Sequence, residues 1–493
     1  MLIVLVLIAL VSFLGILTEL NKKYGVETPA FGGTLREGIL GNPRFINPLL
    51  AQSDADRDMV SLVYTGLMRY DKNGEPQPAL AEKYEVSENG LAYTVTLKNK
   101  LYWSDGKKLN ADDILFTISL AKNPLAQSPK RANWEGVGAE KVDDLTIRFR
   151  LKKAYAPFLD NLTLGILPKH VWEKIPASQI ALAELNTAPV GSGPYKLNSL
   201  THDSLGSIVA ANLATNKYFA LGRPHIQTIS LKFYPNEDSA LKDLGSGFID
   251  SYGAISSKNI AELGERVKIQ QISLERTIAA FINQGAQKSL ASYDMRKALN
   301  LAVNKKALVE KVLGGYGKTI DGPLPWPAQT AELMEIAEEL KNMWEGAGFK
   351  VDIKTFQVAD LEQSVIGPRR YDIFLYGQEV VGKNPDPFAF WHSSQRNYPG
   401  YNIALYANSR VDKLLEQVRV EQDDTKRASL YNQIQNEIKK DLPAIFLFTP
   451  SYLYAVPQNL GGADIKTVDT GSDRFATIYD WYLERTYVWK IFK

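Results

Sequence analysis

The chain contains no cysteine among its 493 residues. That absence removes thiol nucleophiles, cysteine-bound zinc and every disulfide together, and it suits an oxidising compartment without requiring one. Histidine is scarce as well: His170, His202, His225 and His392 lie far apart, with no ligand-like spacing. Neither His-Glu-x-x-His nor Gly-x-Ser-x-Gly occurs, so a zinc hydrolase helix and a serine nucleophile elbow lack a sequence basis. Gly317-Lys318-Thr319 has the ending of a phosphate loop, but Val312 stands where the first glycine is required, and a helical pattern precedes it. No catalytic residue, metal or cofactor is expected. Charge of one sign is also missing: 57 Lys and Arg balance 55 Asp and Glu, interspersed instead of striped, which excludes a nucleic-acid footprint. No low-complexity tract and no fixed-period repeat is visible, so disorder, solenoids and propellers are set aside.

What is present is a long, ordinary globular composition, 45% apolar and 23% charged, with room for two to four domains. Leu2 to Leu17 is an uncharged apolar run of sixteen residues. As a helix it reaches about 24 Å, slightly short of a ~30 Å hydrocarbon layer, and extension through Leu20 with snorkelling lysines closes the gap. Signal peptide, uncleaved anchor and core helix are the three readings; the continuity of the run disfavours the core helix. With no small-x-small cleavage site following closely, the expectation is an uncleaved anchor at 1–20 and a linker at 21–32. Lys22 and Lys23 then follow the segment, where the positive-inside rule opposes export of what comes after.

Beyond the linker, strand and helix patterns alternate, predicting a mixed α/β fold. Leu91, Tyr93, Val95 and Leu97 alternate with polar residues as in a half-buried strand, and Ile147, Phe149 and Leu151 repeat this. Asn110 with Asp112 and Asp113 predicts a capped helix start. Leu333, Ile336, Leu340, Met343 and Trp344 form a helical stripe, with a strand expected through Val351 and Ile353. Pro189 to Tyr195 reads as a stiff crossing between units, its two glycines free to take positive φ. Tyr102-Trp103-Ser104-Asp105-Gly106 reads as a hairpin corner with an exposed aromatic lead-in.

Several segments, taken in order, carry a resemblance. Asn47-Pro48-Leu49, Val63 to Leu67 with Tyr70-Asp71, Pro78 to Ala81, Trp103 to Gly106 with Ala111-Asp112-Asp113, and Pro189 to Tyr195 come first. Asp294 to Leu299, Asn304-Lys305, Gly314 to Gly317 and Pro385 to Ser394 follow. Together they span roughly Gly33 to Asp480, and the chain resembles the family 5 solute-binding proteins, the oligopeptide- and dipeptide-binding receptors of bacterial importers. The resemblance implies a bilobal, periplasmic-binding-protein-like α/β fold with an extra inserted α/β domain. It assigns 33–60, 193–273 and 461–493 to lobe one, 61–192 to the insertion and 274–460 to lobe two.

It further implies a monomeric substrate-binding component of an ATP-binding cassette importer. Such a component works outside the cytoplasm, takes peptides between its lobes and delivers them to a membrane permease. The alternatives are a receptor for an oligosaccharide or a chelated metal, a ligand sensor without a transporter, or, as an enzyme, a two-carboxylate glycan hydrolase. In peptide-binding relatives the ligand backbone adds between two protein strands. Matching places these at Gln52, Ser53 and Asp54 and at Glu379, Val380 and Val381, with Tyr64 as a further contact. The aspartate that meets the ligand amine in relatives is replaced by Lys383, with Asp386 three residues on. Lys383 would repel an ammonium, so Asp386 or Glu379 takes over, or the ligand lacks a free amine. Trp391 and His392 are placed at the ligand or in lobe packing. After Pro323 to Pro327 a strand and helix usual in relatives are missing, which predicts an unpaired sheet edge or a reduced lobe two.

Overall fold

The computed structural model describes residues 10, 12, 13, 15, 25–274, 276–323, 333–379 and 386–489. The apolar run at the start falls almost wholly outside them, and no described helix is long and apolar enough to cross a membrane. The strands begin with β1 (Gly25–Pro29), β2 (Gly32–Leu40), β3 (Met68–Tyr70), β4 (Pro76–Pro78), β5 (Ala81–Val86) and β6 (Ala92–Leu97). Next come β7 (Val137–Asp143), β8 (Thr146–Leu151), β9 (Tyr195–His202), β10 (Ile208–Thr215), β11 (Ile226–Tyr234) and β12 (Ser251–Tyr252). The last are β13 (Val267–Leu274), β14 (Arg276–Ile282), β15 (Gly317–Thr319), β16 (Ile373–Glu379), β17 (Ala444–Pro457), β18 (Thr467–Val468) and β19 (Arg485–Trp489). The longer helices are α1 (Asp54–Val63), α2 (Ala111–Lys122), α3 (Glu237–Ser246), α4 (Tyr293–Leu301), α5 (Lys305–Leu313), α6 (Leu333–Gly346), α7 (Ser409–Val420) and α8 (Asp424–Asp441).

The protein is bilobal, and β17 joins its halves. Its first part, Ala444 to Phe448, pairs antiparallel with β14, and its second, Ser451 to Pro457, pairs antiparallel with β13. Strands β13 and β14 are separated in sequence by the single residue Glu275, so two chain segments cross between the halves at one level. On the first side, β2 runs parallel to β11 and β12, while β9, β10 and β11 are antiparallel. On the second, β16 lies at an edge with β14 as its sheet neighbour. The strand expected at Val351 and Ile353 is not formed: residues 351–357 take no regular structure. Val351 still packs with Phe349, Ile373 and Leu375 on the lobe-two core, so its apolar alternation is used for burial without ladder hydrogen bonds.

Strand alternation in lobe two is direct. Ala279 and Phe281 enter one core with Trp391, Val411 and Ile434, whereas Ile278, Ala280 and Ile282 enter the other with Leu308, Ile336 and Trp344. A β-strand sends successive side chains to opposite faces, so both faces of β14 are covered by helices and Ile278 to Ile282 are all apolar. Between Ala81 and Leu151, a four-stranded antiparallel sheet of order β5-β6-β8-β7 packs into the same core as β2 and β11. Helix α2 starts as expected, with Asn110 and Asp113 forming a capping box. The hairpin corner at Tyr102 to Gly106 is present, with Tyr102 bridging Lys108 and Gly106 at φ 87°. Its Trp103 is fully buried, not exposed.

The Pro189–Tyr195 crossing is stiff for a different reason than positive φ. Neither Gly191 nor Gly193 has it. Gly193 N–H donates to the Val63 carbonyl at 2.8 Å, and a Cβ on Gly191 would lie 1.9 Å from that same oxygen. Glycine is required there because two backbones touch.

Candidate functional site

In open α/β sheets a ligand crevice forms outside the carboxyl ends of parallel strands. Here β2, β11 and β12 are parallel, and β12 runs opposite to β17, pairing Tyr252 with Ala455. Their carboxyl ends therefore point back along β17 toward Ser451, where the chain crosses into lobe two. On the lobe-two side β14 starts at that crossing. Strand β16 is antiparallel to it and pairs Glu379 with Arg276, so β16 ends there. The topology brings a βα connection of one lobe and two strand ends of the other to one level.

Gln52, Ser53 and Asp54 follow β2 and are exposed, but they form no strand, which corrects the expectation for them. Ser53 is the N-cap of α1, its hydroxyl accepting from Asp56 N–H at 3.1 Å. Asp56 Oδ2 accepts from the N–H groups of Gln52 and Ser53, and Oδ1 from those of Arg44 and Phe45 at 2.7 and 2.9 Å. One buried carboxylate ties both ends of the loop, and it uses the N–H groups that a ligand strand would need. The capping pattern Ser-x-x-Asp was legible in sequence and decides the local structure. Tyr64 caps the other end of α1, only 2% exposed, and its hydroxyl has no hydrogen-bond partner. Burial pushes that hydroxyl's pKa up.

Of the second expected strand, Glu379 is placed by its backbone at the end of β16, while Val380, Val381 and Lys383 lie outside the described residues. Asp386 does not stand free. Its Oδ2 is 2.7 Å from Arg419 Nη2 on α7, and its Oδ1 accepts from Phe388 N–H at 3.3 Å. Burial raises the Asp386 pKa, with Arg419 pulling it back. The Arg419 guanidinium lies 4.3 Å from the Phe388 ring centre and 5.7 Å from that of Tyr155. The Arg419 carbonyl accepts from Ala156 N–H at 2.7 Å. Arg419 thus joins Asp386 to the 155–156 segment beyond β8.

Trp391 is placed in the lobe-two core, 1% exposed, stacked on Phe281 at 5.7 Å and packed on Phe446. His392 stacks on Phe388 at 4.0 Å, and its Nδ1 accepts from Ser394 N–H at 3.1 Å. Both side chains pack within lobe two in this structure.

Residues that sequence reasoning missed lie at the crossing itself. Arg276 Nε, Thr277 Oγ1 and Thr449 Oγ1 are buried atoms without a hydrogen-bond partner. Ile278 pairs with Phe448, and Thr277 and Thr449 are the next residues of the two strands toward the crossing. Polar residues at the ends of otherwise apolar strands were the available signal. Behind them, Arg474 donates from Nε to Glu37 at 3.0 Å and from both terminal nitrogens to Asp58 at 2.8 and 2.7 Å. Tyr454 and Ser251 donate to the other oxygen of Glu37. Burial lifts Asp58 to about 6 against the pull of Arg474. This satisfied cluster locks α1, β2 and the 471–480 helical stretch together and is structural. Among the described residues, no group of three or more His, Asp and Glu side chains is placed to hold a metal ion.

Two lobes joined by paired strand crossings, with polar groups left open at the crossing, define a bilobal solute-binding protein. Residues 75–332 match the bacterial extracellular solute-binding proteins, family 5 middle region. The chain belongs to this family, whose members are extracytoplasmic binding proteins and not enzymes. It is 26% identical over 502 residues to the oligopeptide-binding protein AppA of Bacillus subtilis, covering 90% of this chain and 91% of that one. Its fold is similar to the substrate-binding protein CtaP of Listeria monocytogenes, with TM-score 0.78, 24% identity and 92% and 100% of the two chains covered. It is similar also to AppA of Bacillus subtilis in complex with a nonapeptide, with TM-score 0.72, 24% identity and 93% and 100% covered.

Proposed function

We propose that this protein captures peptides between its lobes and delivers them to the permease of an ATP-binding cassette importer. The carrying observation is the strand crossing. The end of β16, an edge strand among the described residues, and the carboxyl ends of β2, β11 and β12 point toward that level, so an extended main chain can lie along β16 while lobe one closes over it. Likeness to an oligopeptide-binding protein over most of both chains supports a peptide as the solute. The domain limits suggested by the sequence are retained: lobe one from 33–60, 193–273 and 461–493, an insertion at 61–192, and lobe two at 274–460. The protein acts as a monomer, tethered to the cytoplasmic membrane by its first twenty residues.

The test is ligand-dependent thermal stabilisation of purified protein by pools of short peptides, because selective binding to the native state raises its melting temperature. A shift with peptides and none with oligosaccharides or nickel–histidine supports the reading. The reverse pattern replaces it with a sugar or metal-chelate receptor.

A further inference from the structure

We propose that the cleft anchors its ligand through a carboxylate bound by Arg276, and not through an amine bound by an acid. This rests on the peptide reading and sets the polarity of that same site.

Asp386, one of the two acids expected to take an amine, is already engaged. Asp386 has Arg419 at 2.7 Å on one oxygen and the Phe388 N–H on the other. Arg419 is itself held between the Phe388 and Tyr155 rings. An incoming ammonium would have to displace a guanidinium fixed by ion pairing and aromatic contact, each of which favours Arg over a mobile competitor.

Arg276 is the opposite case. It is the first residue of β14, at the crossing, only partly exposed. Its Nε is sealed from solvent with no partner, and no carboxylate of the described residues forms an ion pair with it. A guanidinium donates along a planar fork that matches a carboxylate, and a buried donor left open is unfavourable until an anion or water fills it. Position agrees with this role. Arg276 pairs with Glu379 at the end of β16, one strand in from the edge along which the ligand main chain would lie.

The second observation comes from the other face of the same strand ends. Thr277 is fully buried and Thr449 is 6% exposed, and both hydroxyls lack partners. Alternation along β14 sends Arg276 to the side of Ile278 and Thr277 to the side of Ala279. A ligand lying across the ends of these strands meets a cation on one side and two hydroxyl donors on the other. Three open donors at these strand ends fit an anionic group.

The experiment compares two peptide libraries of identical sequences, one with free carboxyl termini and one amidated, by calorimetry and thermal shift on wild type, Arg276→Gln and Thr449→Val. The expected result is that wild type prefers free acids by roughly ten- to hundredfold. Arg276→Gln should bring the acids down to the amide level and leave the amides unchanged, with Thr449→Val giving a smaller loss of the same selectivity. Acetylating the amino termini should leave wild-type affinity within about threefold, well inside one tenfold step. Equal binding of acids and amides by wild type overturns the inference while the peptide reading stands. Equal weakening of both libraries by Arg276→Gln shows a structural role and also overturns it. Binding of neither library defeats the peptide reading, and the inference with it. If Arg276→Gln melts early without ligand, Arg276→Lys replaces it: retained stability with a preference for acids reduced several-fold supports the fork, and an unchanged preference refutes it.

Discussion

Replacing Asp160 by asparagine should stabilise this protein in mildly alkaline solution and do little in acid. Asp160 is 8% exposed; Tyr70 Oη donates to its Oδ1 at 3.0 Å, and its Oδ2 has no partner. Burial raises its pKa to about 7 from an ordinary 3.8. An acid whose folded value lies above its unfolded value holds its proton more tightly when folded. Its contribution is therefore full below about pH 4 and is lost progressively as pH rises to about 7. At about 1.4 kcal/mol per unit the loss at pH 8 is bounded near 4 kcal/mol, and local relaxation reduces it to roughly 1–3 kcal/mol. Asparagine keeps the shape and the acceptor for Tyr70 without the charge. The assay is urea unfolding of wild type and Asp160→Asn at pH 4.5 and pH 8. The variant should gain roughly 1–3 kcal/mol at pH 8 and several-fold less at pH 4.5. An equal difference at both values, or a loss at pH 8, would refute the reasoning, because only a titrating carboxylate makes the gain depend on pH.

Other positions give sharper structural checks. Gly191→Ala drives a methyl group against the Val63 carbonyl and should cost roughly 2–4 kcal/mol. Gly245→Ala, inside α3 with open space around it, should gain about 0.5–1 kcal/mol; thermal melting that ranks these two the other way contradicts the packing described. Trp391→Ala empties the lobe-two core and should lose about 3–5 kcal/mol, whereas a loss below about 1 kcal/mol would mark Trp391 as a cleft residue. Arg419→Ala removes the link between Asp386 and the 155–156 segment. Small-angle scattering should then show a larger radius of gyration without ligand, and an unchanged radius would show that this contact does not hold the lobes together.

Much of the fold was legible because local chemistry and tertiary placement agree. The Asn110 cap, the Leu333–Trp344 stripe and the alternation through Tyr93 and Val95 each appear where periodicity placed them. Disagreement arose where a partner decides the outcome. Val351 and Ile353 alternate like a strand, yet no ladder forms. The glycines at 191 and 193 serve close approach, which depends on α1 and not on their own sequence. Site residues were less legible. Gln52 and Ser53 were read as a strand, although Ser53 and Asp56 carry a capping box that turns the chain into α1. Asp386 is offered by the sequence as a partner for an amine because Arg419, thirty-three residues later on α7, is invisible to local reading. Arg276, Thr277 and Thr449 went unnoticed because only the strand register shows that they share one crossing.

The central claim is that the two lobes close on a peptide. Native mass spectrometry of the protein purified without denaturation tests it most directly. Bound species that dissociate on activation and fragment into amino-acid residue masses are expected. Bound species that fragment as sugars or metal chelates, or a protein that remains ligand-free after incubation with peptide pools, would contradict it.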